Sequence, residues 1–132
     1  MRILVTDDEL VSRKKLQKIL SSIGECEEVE SGSDAITAFK KAWENKMPFD
    51  LITLDISMPE MGGIETLLKI RTAERGRGIP EENKVKIVMV TSAADKDTIT
   101  SCIHAGCDDY ILKPFDKKII VNKLMVPVLL EE

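Results

Sequence analysis

The stretch Asp50–Glu65, DLITLDISMPEMGGIE, decides the fold. Leu51 to Leu54 is a short, mainly apolar run, and a run of this kind reads as a strand buried on both faces, the mark of a parallel sheet covered by helices on either side. The run stops at Asp55, passes through a turn containing Pro59, Gly62 and Gly63, and resumes with Ile64, Leu67 and Leu68 at helical spacing. A buried strand, an acidic strand end, a loop and an amphipathic helix therefore form the unit to look for on both sides.

The unit recurs. Ile3–Val5 and Ile87–Val90 are runs of the same buried kind. A first helix carries Leu16, Ile19, Leu20 and Ile23 and ends at Gly24, and a second, capped by Ser33-Asp34, carries Ile36, Phe39 and Trp43 and stops before Pro48. A fourth carries Ile99, Cys102 and Ile103, and a fifth begins near Asp116 and carries Ile120 and Leu124. Pro127 predicts an early end or a kink of that last helix near Leu124 to Val126. Two weaker strands, the acidic Cys26–Glu30 and the short Tyr110–Leu112, suit the edges of a sheet. Strands alternating with helices require right-handed crossovers, so the expected architecture is α/β: a (βα)5, flavodoxin-like, doubly wound parallel sheet of strand order 2-1-3-4-5. It is expected to form a single domain over residues 1–132. Glu74–Lys84, rich in Gly and Glu, reads as a neutral irregular loop away from the carboxyl ends of the strands.

The composition agrees with a globular domain: 132 residues, 43% hydrophobic and 32% charged, exclude a disordered tail and a collagen-like fibre. A net charge of −4 opposes direct nucleic-acid binding, because counterion release needs a basic surface. No apolar run approaches the roughly 18 residues of a membrane span, and no signal-peptide core follows Met1, so no membrane insertion and a cytoplasmic location are expected. Cys26, Cys102 and Cys107 are an odd set without framework spacing, which suits a reducing compartment. With His104 they make up a zinc ligand count, but Cys26 is distant in sequence and no C-x2-C pair is present, so they read as buried or half-buried thiols.

In a sheet of this order ligands bind at the carboxyl ends of the strands. The residues there are Asp7-Asp8, Asp55, Thr91-Ser92 and Lys113-Pro114. Each alone has a plain reading as a helix cap or a solvated charge. Together they bring three carboxylates, a hydroxyl and an amine to one rim. Charges about 4 Å apart repel by roughly 4 kcal/mol at an effective dielectric near 20, so the cluster needs a counter-charge and at least one of its carboxyls should have a raised pKa. All-oxygen ligation suits Mg²⁺, with Mn²⁺ as a substitute. Lys113 and Thr91 suit an incoming phosphoryl group, which makes Asp55 a candidate nucleophile forming an acyl phosphate.

The stretches ILVTDDE, DLITLDISMPEMGGIE, VMVTSA and AGCDDYILKPF resemble those of receiver domains of two-component response regulators, and DISMPEMGG is similar to the chemotaxis type. The resemblance implies that Asp55 accepts a phosphoryl group from a histidine kinase or a phosphotransfer protein. It implies Asp8 and Asp55 as direct Mg²⁺ ligands, Asp7 acting through water, and the backbone carbonyl of Ser57 completing the set. Lys113, with a cis bond to Pro114, would pair with the phosphoryl oxygens, Thr91 would follow the phosphoryl group, and Tyr110 would change rotamer with it. It further implies a downstream protein target and a monomer or weak dimer. Ser57 and Ala93, two residues beyond the phosphoacceptor and the switch hydroxyl, offer no charge to govern hydrolysis. Arg13, Lys14, Lys15 and Lys18 form either a docking face for an acidic partner or a solvated helix face. His104 reads as a surface residue and Trp43 as packing. The alternative is a Mg²⁺-dependent phosphohydrolase with an aspartyl nucleophile, which usually carries D-x-D on the first strand, whereas Asp7 and Asp8 are adjacent. A flavodoxin-like cofactor binder would need a hydroxyl- and glycine-rich loop where this chain has Asp7-Asp8-Glu9.

Overall fold

A computed structural model describes residues 1–92 and 95–124. In chain order the elements are β1 (Arg2–Thr6), α1 (Leu10–Leu20), β2 (Glu25–Val29), α2 (Gly32–Glu44), β3 (Leu51–Asp55), α3 (Gly63–Gly76), a 3-10 turn (Glu81–Asn83), β4 (Lys86–Thr91), α4 (Lys96–His104), β5 (Asp109–Leu112) and α5 (Lys117–Leu124). The strands form one sheet in the order β2-β1-β3-β4-β5, and every pairing is parallel. This is the flavodoxin-like arrangement expected from the alternation of elements.

Because successive side chains of a strand point to opposite faces, the sheet has two cores. Leu4, Ile52, Leu54, Ile87 and Met89 pack with Phe39 of α2, Leu67 and Ile70 of α3 and Cys102 of α4. Ile3, Val5, Leu51, Val88, Val90 and Ile111 pack with Leu16 and Leu20 of α1 and Ile120 and Leu124 of α5. Cys102 and Cys107 belong to the first core and Cys26 to the second, so the sheet itself separates the cysteines of the hypothetical zinc set. Trp43 is half-buried against the first core, as its packing role requires. His104 is exposed in the last turn of α4.

Several local expectations shift. The cap of α2 is Ser31 rather than Ser33-Asp34: its hydroxyl accepts the Asp34 N–H at 3.0 Å, and Asp34 sits in the first turn, where its charge complements the helix dipole. Helix α1 ends at Leu20, so Ile23 packs from the following turn. Leu68 and Ile103 face outward, 47% and 57% exposed, because their helices bury Leu67 and Cys102 instead. Pro127, Val126 and Ala93 lie outside the described residues.

The largest correction concerns Glu74–Lys84. Helix α3 runs on to Gly76, and Glu74 is fully buried. Its Oε1 receives Arg71 Nη1 at 2.7 Å and its Oε2 the Val85 N–H at 2.8 Å. Arg71 also donates to the carbonyls of Val85 (2.8 Å) and Gly106 (3.0 Å) and to Asp108 Oδ2 (2.9 Å), which in turn accepts the Ile87 N–H at 2.8 Å. A polar-looking segment thus ties α3 to the starts of β4 and β5. Removing one member of such a pair strands a buried charge. Glu74→Ala should therefore lower the unfolding free energy by about 3 kcal/mol, and Arg71→Met/Glu74→Met by less than the sum of the singles. Urea unfolding measures this; a Glu74→Ala midpoint equal to the parent's would show that the network does not hold the fold.

Candidate functional site

The strand register brings the site together. Thr6 lies beside Leu54, Asp55 beside Val90, and Thr91 beside Leu112, so Asp7, Asp55, Thr91 and Lys113 all fall on the carboxyl edge. Asp7 and Asp55 are buried and Asp8 is exposed. One oxygen from each of the three lies within 4.8 Å of the others. Lys113 Nζ stands between the two buried carboxylates, 3.1 Å from Asp55 Oδ2 and 3.2 Å from Asp7 Oδ2. The Lys113-Pro114 peptide is cis.

Local chain geometry aims each group. Asp7 Oδ1 accepts the Glu9 N–H at 2.9 Å, closing a turn at the start of α1. Asp55 Oδ1 accepts the Ser57 N–H at 3.1 Å, which leaves the two oxygens of Asp55 held by different donors. Gly63, at the start of α3, passes so close to this strand end that a Cβ would stand 2.3 Å from the Asp55 carbonyl oxygen. Only glycine permits that approach. The Lys113 N–H donates to the Thr91 carbonyl at 2.8 Å, coupling the ends of β4 and β5. Thr91 is buried. Tyr110 does not join the carboxylates: it pairs with Met89 further back along the sheet, half-buried, with Lys123 Nζ 4.6 Å from its ring centroid.

The electrostatics are dominated by burial. Loss of water pushes the Asp55 carboxyl up to about 6; Lys113 opposes the rise and the Asp7 charge adds to it. A raised carboxyl was expected from mutual repulsion, but desolvation is the larger cause. Burial also pulls Lys113 down, yet its hydrogen bond to Asp55 and the charges of Asp55 and Asp7 outweigh this and hold its pKa above the ordinary value. Three carboxylates against one ammonium leave negative charge in excess. The hard, all-oxygen donor set of Asp7, Asp8 and Asp55 fits Mg²⁺.

The four basic side chains of α1 have two readings; neither fits Arg13, while Lys14, Lys15 and Lys18 are exposed, as both readings require, although Lys14 and Lys15 have partners within the molecule. Arg13 is buried and paired with Glu28 and Glu30 at 3.3 Å each; Lys14 pairs with Glu28 at 2.9 Å; Lys15 donates to the Phe115 carbonyl and lies 5.0 Å from its ring centroid. The signal was present in the charge pattern, since the acidic second strand is adjacent to a basic first helix. The cavity of about 410 Å³ between β2 and α2, lined by Arg2, Val29, Ala38, Lys41 and Met47 among others, involves none of the clustered residues.

Residues 3–125 match the response regulator receiver domain, and the chain belongs to this family. It is CheY-like: 33% identical over 126 residues to chemotaxis protein CheY1 of Helicobacter pylori, covering 96% of this chain and 95% of that one. It is also 31% identical over 124 residues to chemotaxis protein CheY of Pseudomonas aeruginosa, with 94% and 93% covered. Among solved structures, the receiver domain of the histidine kinase CKI1 from Arabidopsis thaliana complexed with Mg²⁺ superposes with a TM-score of 0.77 at 30% identity, covering 99% and 91% of the two chains. The CheX-CheY-BeF3-Mg complex of Borrelia burgdorferi contains the same fold, with a TM-score of 0.81 at 24% identity and 97% and 89% covered. The family is one of signalling receiver domains. Among the described residues no helix is long and apolar enough to cross a membrane.

A raised Asp55 pKa makes stability depend on pH. Below the unfolded value of 3.8 the protonated group favours the fold, and that advantage disappears as pH rises through about 6. In EDTA, the stability of Asp55→Asn relative to the parent should therefore rise from about pH 4 to about pH 7, by on the order of 2 kcal/mol. Urea midpoints across that range provide the measurement, and a difference that does not vary with pH would contradict the raised pKa.

Proposed function

We propose that this receiver takes a phosphoryl group from a phosphohistidine onto Asp55 in a Mg²⁺-dependent reaction and changes partner binding as a result. The observation that carries the reading is the contact of Lys113 with both Asp55 and Asp7 beside the exposed Asp8. An Asp55 oxygen attacks phosphorus; the P–O bond forms, the P–N bond breaks, and the departing imidazole keeps the electron pair and takes a proton from solvent. Asp8 and Asp55, with the Ser57 carbonyl and Asp7 through water, would hold Mg²⁺, which when bound supplies positive charge against the phosphoryl oxygens. Lys113 can pass its hydrogen bond from the carboxylate to a phosphoryl oxygen, so positive charge meets the new negative charge without a large movement. A histidine kinase or phosphotransfer protein is the donor and a downstream protein the target. The relatives' names support a chemotactic output.

Incubation with acetyl phosphate and Mg²⁺ should add one base-labile phosphoryl group per chain, seen by intact mass. EDTA or Asp55→Asn should abolish it; stoichiometric labelling of the Asn variant would overturn the assignment, and turnover of a free phosphoester would favour the hydrolase reading.

Thr91 and Tyr110 carry the response in this proposal. The Thr91 hydroxyl follows the phosphoryl group, and Tyr110 repacks beside α4. Thr91→Ala should still be phosphorylated, with clearly smaller amide shift changes across α4 and Tyr110 than in the parent. Changes of parental size would assign the coupling to another residue.

A further inference from the structure

An arginine lies behind the acidic turn. Arg13 is only 6% exposed, rare for this side chain, and its guanidinium has three sets of partners. Nη1 donates to the backbone carbonyl of Asp7 at 3.0 Å, Nε to Glu28 Oε1 at 3.3 Å and Nη2 to Glu30 Oε1 at 3.3 Å. Glu28 is also held by Lys14 at 2.9 Å. Asp7 is thereby fixed at its carbonyl by Arg13, at its N–H by the Val29 carbonyl (3.2 Å) and at Oδ1 by the Glu9 N–H (2.9 Å). The backbone of Asp8 lies between these anchored neighbours.

We propose that Arg13 is a positioning residue for cation binding at Asp7, Asp8 and Asp55, acting through the main chain of Asp7. Glu28 and Glu30 serve to neutralise the guanidinium, so that it holds the turn without repelling the ion. The inference rests on the reading of the three carboxylates as a Mg²⁺ site. Outer partners that orient ligands commonly control metal affinity by about tenfold or more. The sign separates two roles. If Arg13 acted only through its charge, removing a cation next to the site would tighten cation binding. If it positions the turn, removing it weakens binding.

The test is Mn²⁺ titration followed by the EPR signal of the free ion, with Mg²⁺ competition, on the full chain. Arg13→Met should weaken affinity roughly tenfold. Arg13→Lys, which keeps the charge but loses the three-way fork, should recover part of it. Lys14→Met removes the same unit charge one residue away without touching Asp7, and should bind as the parent does. In acetyl-phosphate labelling, Arg13→Met should raise the Mg²⁺ needed for half-maximal rate by a larger factor than it lowers the maximal rate. If Arg13→Met does not fold, Arg13→Met/Glu28→Gln, which leaves only the solvent-exposed Glu30 without its arginine partner, should show the same weakening. Parent-like or tighter binding by the Arg13 variants, while Asp8→Asn loses the ion, would overturn the inference, as would equal weakening by Lys14→Met. Parent-like binding by Asp8→Asn would instead overturn the reading of the site.

Discussion

Parallel pairing places every strand's carboxyl end on the same edge of the sheet, and the chemistry of this chain depends on that constraint. The register sets Asp55 beside Val90 and Thr91 beside Leu112, so residues far apart in sequence reach one rim with no long loop to position them. A slip of one residue in β3 would turn Asp55 to the other face and bury it against the α2–α3 core. Leu54 and Leu51, packed on opposite sides of the sheet, prevent that slip. Core packing and site geometry are therefore one requirement, met by the alternation of five residues.

The rim is held under electrostatic tension. Burial raises the Asp55 carboxyl to about 6, while Lys113 beside it relieves only part of the excess negative charge. Helix α1 restrains both sides of this arrangement: Arg13 holds the carbonyl of Asp7 in the turn after β1, and Lys15 holds the carbonyl of Phe115 two residues beyond Lys113. Arg13 is thus consumed within the molecule, whereas Lys14 and Lys15 stay exposed beside their partners. Lys18 is exposed as well, so a docking partner meets three of the four basic side chains that the sequence offers there.

The buried strands and the acidic rim were legible because each depends on a local pattern: a run of apolar residues bounded by a turn, and a polar residue where the run stops. Ile3–Val5, Leu51–Leu54 and Ile87–Val90 all fall within observed strands. What the pattern could not show were polar side chains whose partners lie far along the chain. Arg71, Glu74 and Asp108 look like solvated charges until α3 is laid against the starts of β4 and β5, and Arg13 looks like a surface cation until β2 is paired beside β1. Leu68 and Ile103 lie in the expected helices yet face outward, because a stripe of apolar residues marks a helix face only to within one position, and packing selects Leu67 and Cys102.

The two ends of β4 are held very differently, and this bears on how a change at Thr91 could travel. At the amino end the Val85 and Ile87 N–H groups are bound by the carboxylates of Glu74 and Asp108, both paired with Arg71. At the carboxyl end the Thr91 carbonyl accepts the Lys113 N–H, and Lys113 in turn reaches Asp55 and Asp7. Moving the base would break several buried charge-assisted bonds at once, each more costly than a neutral one. Moving the rim redirects an exchangeable ammonium contact. A displacement at Asp55 would therefore meet least resistance along the rim toward the ends of β4 and β5, with α3 and the base of the sheet as the fixed frame.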